Sequence, residues 1–253
     1  MSSKARNNAG IHSGIVFSSV SKSYEKERKV LDALSLHVAP GERVAICGKN
    51  GEGKTTILNI IATLSHPDQG EVEVFGLRQG AESEHIRNLV GYSFQDLILD
   101  RFFPVRKTIH LVGGFWGLSR LAIDEAILQL GKKLDILDVL EKKGSQLSGG
   151  YKRRVQLLLA LMKKPRILLL DEPNTGLDMQ IRERTESLIL DFLAEDPDRI
   201  LILVSHDADE VGHLCKRVLF LERGKLAVNT EVESKQNVHD LFAAHLMARG
   251  GRP

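Results

Sequence analysis

Two groups of residues in this chain have the types and spacing to handle phosphate chemistry. The first is Gly48-Lys49-Asn50-Gly51-Glu52-Gly53-Lys54-Thr55, followed by Thr56. It reads G-x-x-x-x-G-K-T, a phosphate-binding loop. Its glycines let backbone N–H groups turn inward around phosphate oxygens. Lys54 is spaced to reach the β- and γ-phosphates, and the Thr55 hydroxyl to hold Mg²⁺. The second group is Asp171-Glu172, which closes the apolar run Ile167–Leu170. A carboxylate at such a strand end orients Mg²⁺ and its waters, which suits Asp171. Glu172 is then placed to take the proton of an attacking water. Together the two groups imply binding of a nucleoside triphosphate.

These residues need elements to hold them. The apolar run Arg43–Cys47 predicts a buried strand before the glycine loop, and Thr56–Ala62 has helical spacing after it. Strand, loop and helix is the context that the pattern requires, with the positive end of the helix dipole aimed at the phosphates. Ile167–Leu170 and Ile200–Val204 are continuous apolar runs, as in strands buried on both faces of a parallel sheet. Arg182–Leu193 predicts the helix between them, and Ser205-His206-Asp207 follows the second run. Ile15–Phe17, Leu34–Val38 and Glu71–Phe75 read as short strands of a small antiparallel sheet, with turns at Pro40-Gly41 and 66–70. Val90–Phe94 reads as another strand. The pattern is helical from about Ile109 to Val139, and again from Ser148 to Met162, where Lys163-Lys164-Pro165 ends it. Val218–Leu221 and Leu226–Val228 flank a hairpin turn at residues 222–225.

Composition narrows the classes. The chain has 253 residues and a formal net charge of +2, so charge alone implies no nucleic-acid partner. Its two cysteines, Cys47 and Cys215, carry no disulfide signature and fit a reducing compartment. No apolar run is long enough to span a bilayer, and Met1–Ser13 lacks the apolar core of a signal peptide. The expected placement is the cytosol, or the cytosolic face of a membrane through a partner.

Leu147-Ser148-Gly149-Gly150 forms a second serine- and glycine-lined helix start, with the same dipole argument for an anion. The order of glycine loop, Gln95, this segment, Asp171-Glu172, Gly176-Leu177-Asp178 and Ser205-His206-Asp207 resembles the ATP-binding cassette (ABC) family, the ATPase subunits of ABC transporters. The resemblance runs from about Ile15 to Val228. It implies ATP and Mg²⁺ as ligands. The implied fold is α/β: a P-loop NTPase (RecA-like) core with a small antiparallel β subdomain and an inserted α-helical subdomain at about 97–160. The cassette domain would span 15–232, between a flexible tail at 1–14 and a short C-terminal helix or tail at 233–253.

The resemblance also implies roles. Gly48–Thr55 matches Walker A, and Leu168–Asp171 matches Walker B with Glu172 as catalytic glutamate. Gln95 matches the Q-loop glutamine that reaches Mg²⁺ and the attacking water, and His206 the switch histidine on the γ-phosphate. Asp178 belongs to the D-loop. Tyr24 sits where the family stacks an aromatic on adenine. Two subunits would meet head to tail, so that Ser148, Gly149 and Gly150 complete the partner's site. Tyr151 replaces the glutamine that often follows LSGG, and Tyr151-Lys152-Arg153-Arg154 looks more like the drug- and polymer-exporter branch. As residues, Lys152, Arg153 and Arg154 read as a solvated helix face.

The expected function is an ATP-hydrolysing subunit that dimerises and drives export through a polytopic membrane subunit. An importer subunit, or a cassette ATPase acting on DNA or ribosomes, are the rival readings. The little chain after Val228 favours export over importers with a large C-terminal domain. Phe102, Phe103, Val105, Phe115 and Trp116 crowd into the segment after Gln95. They form either the core of the helical insertion or a groove for the membrane partner, with Phe102 or Phe103 the preferred anchor.

Overall fold

A computed structural model describes residues 13–247 except 26–27 and 96–98, and the side chains of 25, 28, 246 and 247 are outside the description too. Most of the expected N-terminal tail, Asp96, the start of the expected helical insertion at 97–98 and the end of the expected C-terminal tail at 248–253 therefore lie outside the described residues.

Two sheets organise the chain. The larger has six strands in the order β10-β9-β3-β8-β7-β6. Four of them, β3 (Arg43–Gly48), β6 (Val90–Ser93), β7 (Ile167–Asp171) and β8 (Ile200–Val204), join β9 (Arg217–Glu222) in parallel. β10 (Lys225–Glu231) returns antiparallel on one edge through a turn at Arg223-Gly224, both at positive φ. Alternate residues of each central strand face opposite ways. Ala45, Cys47, Leu168, Leu170, Leu201 and Leu203 enter one apolar core, while Val44, Ile46, Ile167, Leu169, Ile200 and Ile202 enter a second. Covering on both faces explains why these runs are apolar without alternation.

The second core is roofed by the smaller antiparallel sheet, β2-β1-β4-β5, and by α1 (Lys54–Ile61) and α2 (Ser83–Leu89). Its long pair, β1 (Ile15–Glu25) and β2 (Arg28–Val38), extends well past the short strands expected there, while β4 covers Gln69–Val74 and β5 only Leu77–Arg78. Register shifts along β1 and β2, with Ser19 and Ala33 at positive φ, break the period-2 pattern that would have revealed their length.

The first core is covered by helices. Between β6 and β7 come α3 (Val105–Phe115), α4 (Arg120–Lys133) and α5 (Gly149–Met162). The helical pattern expected from about Ile109 to Val139 is divided here. The structure breaks it at Trp116-Gly117, where Gly117 is at φ 75°, and restarts it with Ser119 capping α4 through Ala122 N. α6 (Met179–Ala194), α7 (Ala208–Leu214) and α8 (Lys235–Phe242) complete this face. No helix among the described residues is long and apolar enough to cross a membrane.

Candidate functional site

The glycine loop begins where β3 ends, between its parallel neighbours β8 and β9. Gly48 has φ 147°, and a Cβ there would come 2.7 Å from the Leu221 carbonyl oxygen. Gly53 has φ 100°, and a Cβ would meet the Val30 oxygen and the Leu31 side chain at 2.8 Å. Conformation and close approach both require glycine at these two positions. Gly53 is also the N-cap of α1, so the first helical N–H groups face the loop. The Lys54 ammonium lies in the loop, donating to the carbonyls of Gly48 (2.8 Å) and Lys49 (2.9 Å). Burial lowers its pKa, while the carboxylates of Glu172 and Asp171 pull the other way.

Behind the loop, Thr55 Oγ1 donates to Asp171 Oδ2 at 2.8 Å. Asp171 ends β7, and burial raises the pKa of its carboxyl against the opposing Thr55 hydrogen bond. Its Oδ1 is buried and has no hydrogen-bond partner among the described residues. An orphaned carboxylate oxygen beside a hydroxyl, with the Gln95 amide lining the same cavity, is a set of hard oxygen donors that fits Mg²⁺.

Glu172, the next residue, sits in the left-handed region at φ 53°. For a side-chain-bearing residue this costs about 1–2 kcal/mol. Its backbone is held there: the N–H donates to Val204 O (2.9 Å), and the carbonyl accepts from the Arg153 guanidinium and from Thr175 N–H (3.4 Å). The twist brings Glu172 Oε1 to 3.3 Å from Nδ1 of His206, which follows β8, while Thr175 Oγ1 donates to Oε2 at 3.3 Å. A carboxylate and an imidazole thus converge on the space in front of the glycine loop.

That space is a cavity of about 950 Å³. Gly48, Lys49, Asn50, Gly51, Gly53, Lys54, Thr55, Thr56, Gln95, Asp171, Glu172 and His206 all line it. So does Tyr24, which lies on strand β1, 59 % exposed with the Lys22 ammonium 5.6 Å from its ring centre. Val30 and Val204 also line the cavity, and the sequence reading missed both. Val30 adds an apolar wall beside Tyr24 from the neighbouring strand β2, a pairing that no local motif announces. Glu52 turns away: its carboxylate accepts from the Arg223 N–H in the β9–β10 turn.

Ser148, Gly149, Gly150 and Asp178 do not join this cavity. Ser148 caps α5, accepting from Tyr151 N at 3.4 Å, and Asp178 caps α6, accepting from Ile181 N at 3.0 Å. Ser148, Gly149 and Asp178 are exposed. One chain therefore presents a phosphate loop and a separate, open helix start.

The reading of Arg153 and Arg154 as a solvated face is overturned, since both are buried. Besides its bond to Glu172, Arg153 has its guanidinium pKa lowered by burial. Arg154 Nη1 donates to the carbonyls of Leu134 (2.8 Å) and Asp135 (2.7 Å), and its guanidinium stacks 4.2 Å over the Tyr151 ring. Unsatisfied carbonyls at the end of α4 supply the physical reason. The aromatic segment divides: Val105 is core, Phe103 is half-buried under Lys107, and Phe102, Phe115 and Trp116 are 77 %, 89 % and 38 % exposed.

The parallel sheet, glycine loop and strand-end acids define a nucleoside triphosphatase of the P-loop type. The family described as ABC transporter matches residues 31–175. Nod factor export ATP-binding protein I of Burkholderia pseudomallei (strain 1710b) is 35 % identical over 211 residues, covering 83 % of this chain and 68 % of that protein. Among solved structures, the dimeric post-hydrolysis state of an ATP-binding cassette bound to ADP and Pi superposes with a TM-score of 0.80 at 28 % identity, covering 87 % of this chain and 99 % of the other. A bacterial Atm1-family ABC exporter with ATP bound gives 0.78 at 26 % identity, covering 95 % of this chain and 42 % of the other. This chain belongs to the ABC transporter family and is an ABC ATPase.

Proposed function

We propose that this chain is the ATP-hydrolysing subunit of an export-type transporter, working as a homodimer on the cytoplasmic side of a membrane. The observation that carries the reading is the separation just described: Lys54, Thr55, Asp171, Glu172 and His206 share one cavity, while the Ser148 helix start faces outward. A second copy, turned head to tail, would bring its Ser148, Gly149 and Gly150 amides to the γ-phosphate side of the bound ATP. The dimeric ADP-bound relative and the export proteins named above support this arrangement. No nucleic acid is required.

In this reading the loop amides and Lys54 hold the phosphates, and Tyr24 with Val30 offers the base an aromatic and an apolar surface. Thr55, Asp171 and Gln95 would hold Mg²⁺, which when bound neutralises phosphate charge. Glu172 accepts the proton of the attacking water, and His206 senses the γ-phosphate. Loss of that phosphate opens the pair, and the membrane subunit follows the movement.

Glu172→Gln should keep ATP binding and lower turnover by roughly 10²–10⁴-fold. With ATP it should accumulate as a dimer in sizing chromatography. Adding Ser148→Arg should abolish that dimer and leave monomer binding of a fluorescent ATP analogue intact. A double variant that still dimerises with ATP would overturn the trans arrangement.

A further inference from the structure

Behind the cavity, a charged cluster that no nucleotide would touch joins the loop carrying Glu172 to the loop carrying His206. Its centre is Arg182, one helical turn past Asp178 on α6. Arg182 Nε donates to Glu186 Oε1 at 2.8 Å, and its Nη1 donates to Asp207 Oδ2 at 2.6 Å. Asp207 immediately follows His206, and its other oxygen caps α7 by accepting from the N–H groups of Asp209 and Glu210 at 2.9 and 3.0 Å. Glu186 is buried at 5 % exposure. Its Oε1 also accepts from Nδ2 of Asn174, two residues beyond Glu172, at 2.9 Å, and its Oε2 lies 2.5 Å from His213 Nδ1 on α7.

The connectivity is specific. One arm of the guanidinium reaches the switch loop through Asp207. The other reaches the Glu172 loop through Glu186 and Asn174. A planar fork with fixed donor directions makes both contacts at once, which an ammonium does not. The loops it ties are those whose side chains meet at the 3.3 Å Glu172–His206 contact. Arg182 itself does not line the cavity.

We infer that Arg182 is a positioning residue for ATP hydrolysis, clamping the switch loop to the Glu172 loop so that His206 and Glu172 hold a common register. The inference rests on the hydrolytic roles proposed above for Glu172 and His206. A misplacement of about 1 Å in a reacting group costs on the order of 10²-fold in rate. The clamp therefore acts on kcat and not on ATP affinity.

The test uses the full chain with Arg182→Gln, Arg182→Lys and Asp207→Asn, measured beside Glu172→Gln. Asp207→Asn keeps a cap acceptor for α7 while losing the charge that faces Arg182, so it serves if the Arg182 variants fold poorly. We expect kcat to fall roughly 10- to 100-fold in Arg182→Gln and Asp207→Asn. Binding of a fluorescent ATP analogue and KM should stay within about twofold of wild type, and Arg182→Lys should recover only part of kcat. Wild-type kcat in a folded Arg182→Gln or Asp207→Asn protein would overturn the clamp. So would a loss of kcat that merely tracks the fraction of protein able to bind ATP, since that is a folding defect. Unchanged turnover in Glu172→Gln would instead overturn the underlying reading of the site, separately from the outcome at Arg182.

Discussion

Lys54 fills its place in the loop by donating to the carbonyls of Gly48 and Lys49. Phosphate oxygens would replace these neutral acceptors with charged ones, and charge-assisted bonds are about twice as strong. Lys54→Ala should therefore weaken ATP binding by roughly 10- to 100-fold, with turnover falling as well. Titration with a fluorescent ATP analogue measures this, and wild-type affinity would show that the loop is not the working site. Residues of this kind were legible in the sequence because Gly48–Thr55 is a contiguous pattern whose geometry is set within the segment. The left-handed backbone of Glu172 was not. It depends on Arg153, 19 residues away on helix α5, and on the Val204 carbonyl of a neighbouring strand. Nothing in the string Asp171-Glu172 announces either partner.

At the scale of elements, α7 shows why short helices escape notice. Its seven residues include Val211 and Leu214 as buried apolar anchors, too few to establish a helical period against a run that begins Asp207-Ala208-Asp209-Glu210. The buried member of that run is Glu210, 3 % exposed. Its Oε2 lies 2.5 Å from Ser205 Oγ, and its Oε1 has no partner among the described residues. Burial pushes its carboxyl up to about 7, with Arg182 opposing and Glu186 and Asp207 reinforcing. A raised carboxyl pKa means that the folded state holds the proton more tightly than the unfolded chain. Its contribution to stability is then greatest at low pH and is lost as pH rises from about 4.5 to about 7. Glu210→Gln removes this dependence. The melting temperature of wild type minus that of the variant should fall across that window and level off above it. A difference that stays flat or rises with pH would show that Glu210 is not held as a buried acid.

Two apolar layers lie on the two faces of one largely parallel sheet, and the helices α3–α5 pack into the first. This architecture was legible because the central strands are apolar on both faces. The division of the aromatic segment was not, since composition does not say which of Phe102, Phe103, Phe115 and Trp116 the packing leaves outside. Phe102 is the exposed aromatic nearest Gln95 in sequence, and Asp100 Oδ1 accepts from its N–H and that of Phe103 at 2.8 Å, fixing the turn that presents it. Next to it, Pro104, Arg106, Lys107, His110, Arg120 and Glu141 line a groove of about 520 Å³ on α3 and α4, where Arg106 Nε donates to Glu141 Oε1 at 2.6 Å. An exposed aromatic beside this groove suits a membrane subunit's cytoplasmic segment that brings an apolar anchor. Phe115, at the other end of α3, lies about 16 Å further along the helix axis. Phe102→Ala should therefore weaken co-purification with the membrane subunit by about 2 kcal/mol or more. Basal ATPase activity of the isolated chain should stay at the wild-type level, because Phe102 is largely exposed and does not line the cavity. Phe115→Ala should leave co-purification unchanged. Full recovery of the membrane subunit with a folded, active Phe102→Ala protein would remove this end of α3 as the docking point, and loss only in Phe115→Ala would move it to the other end.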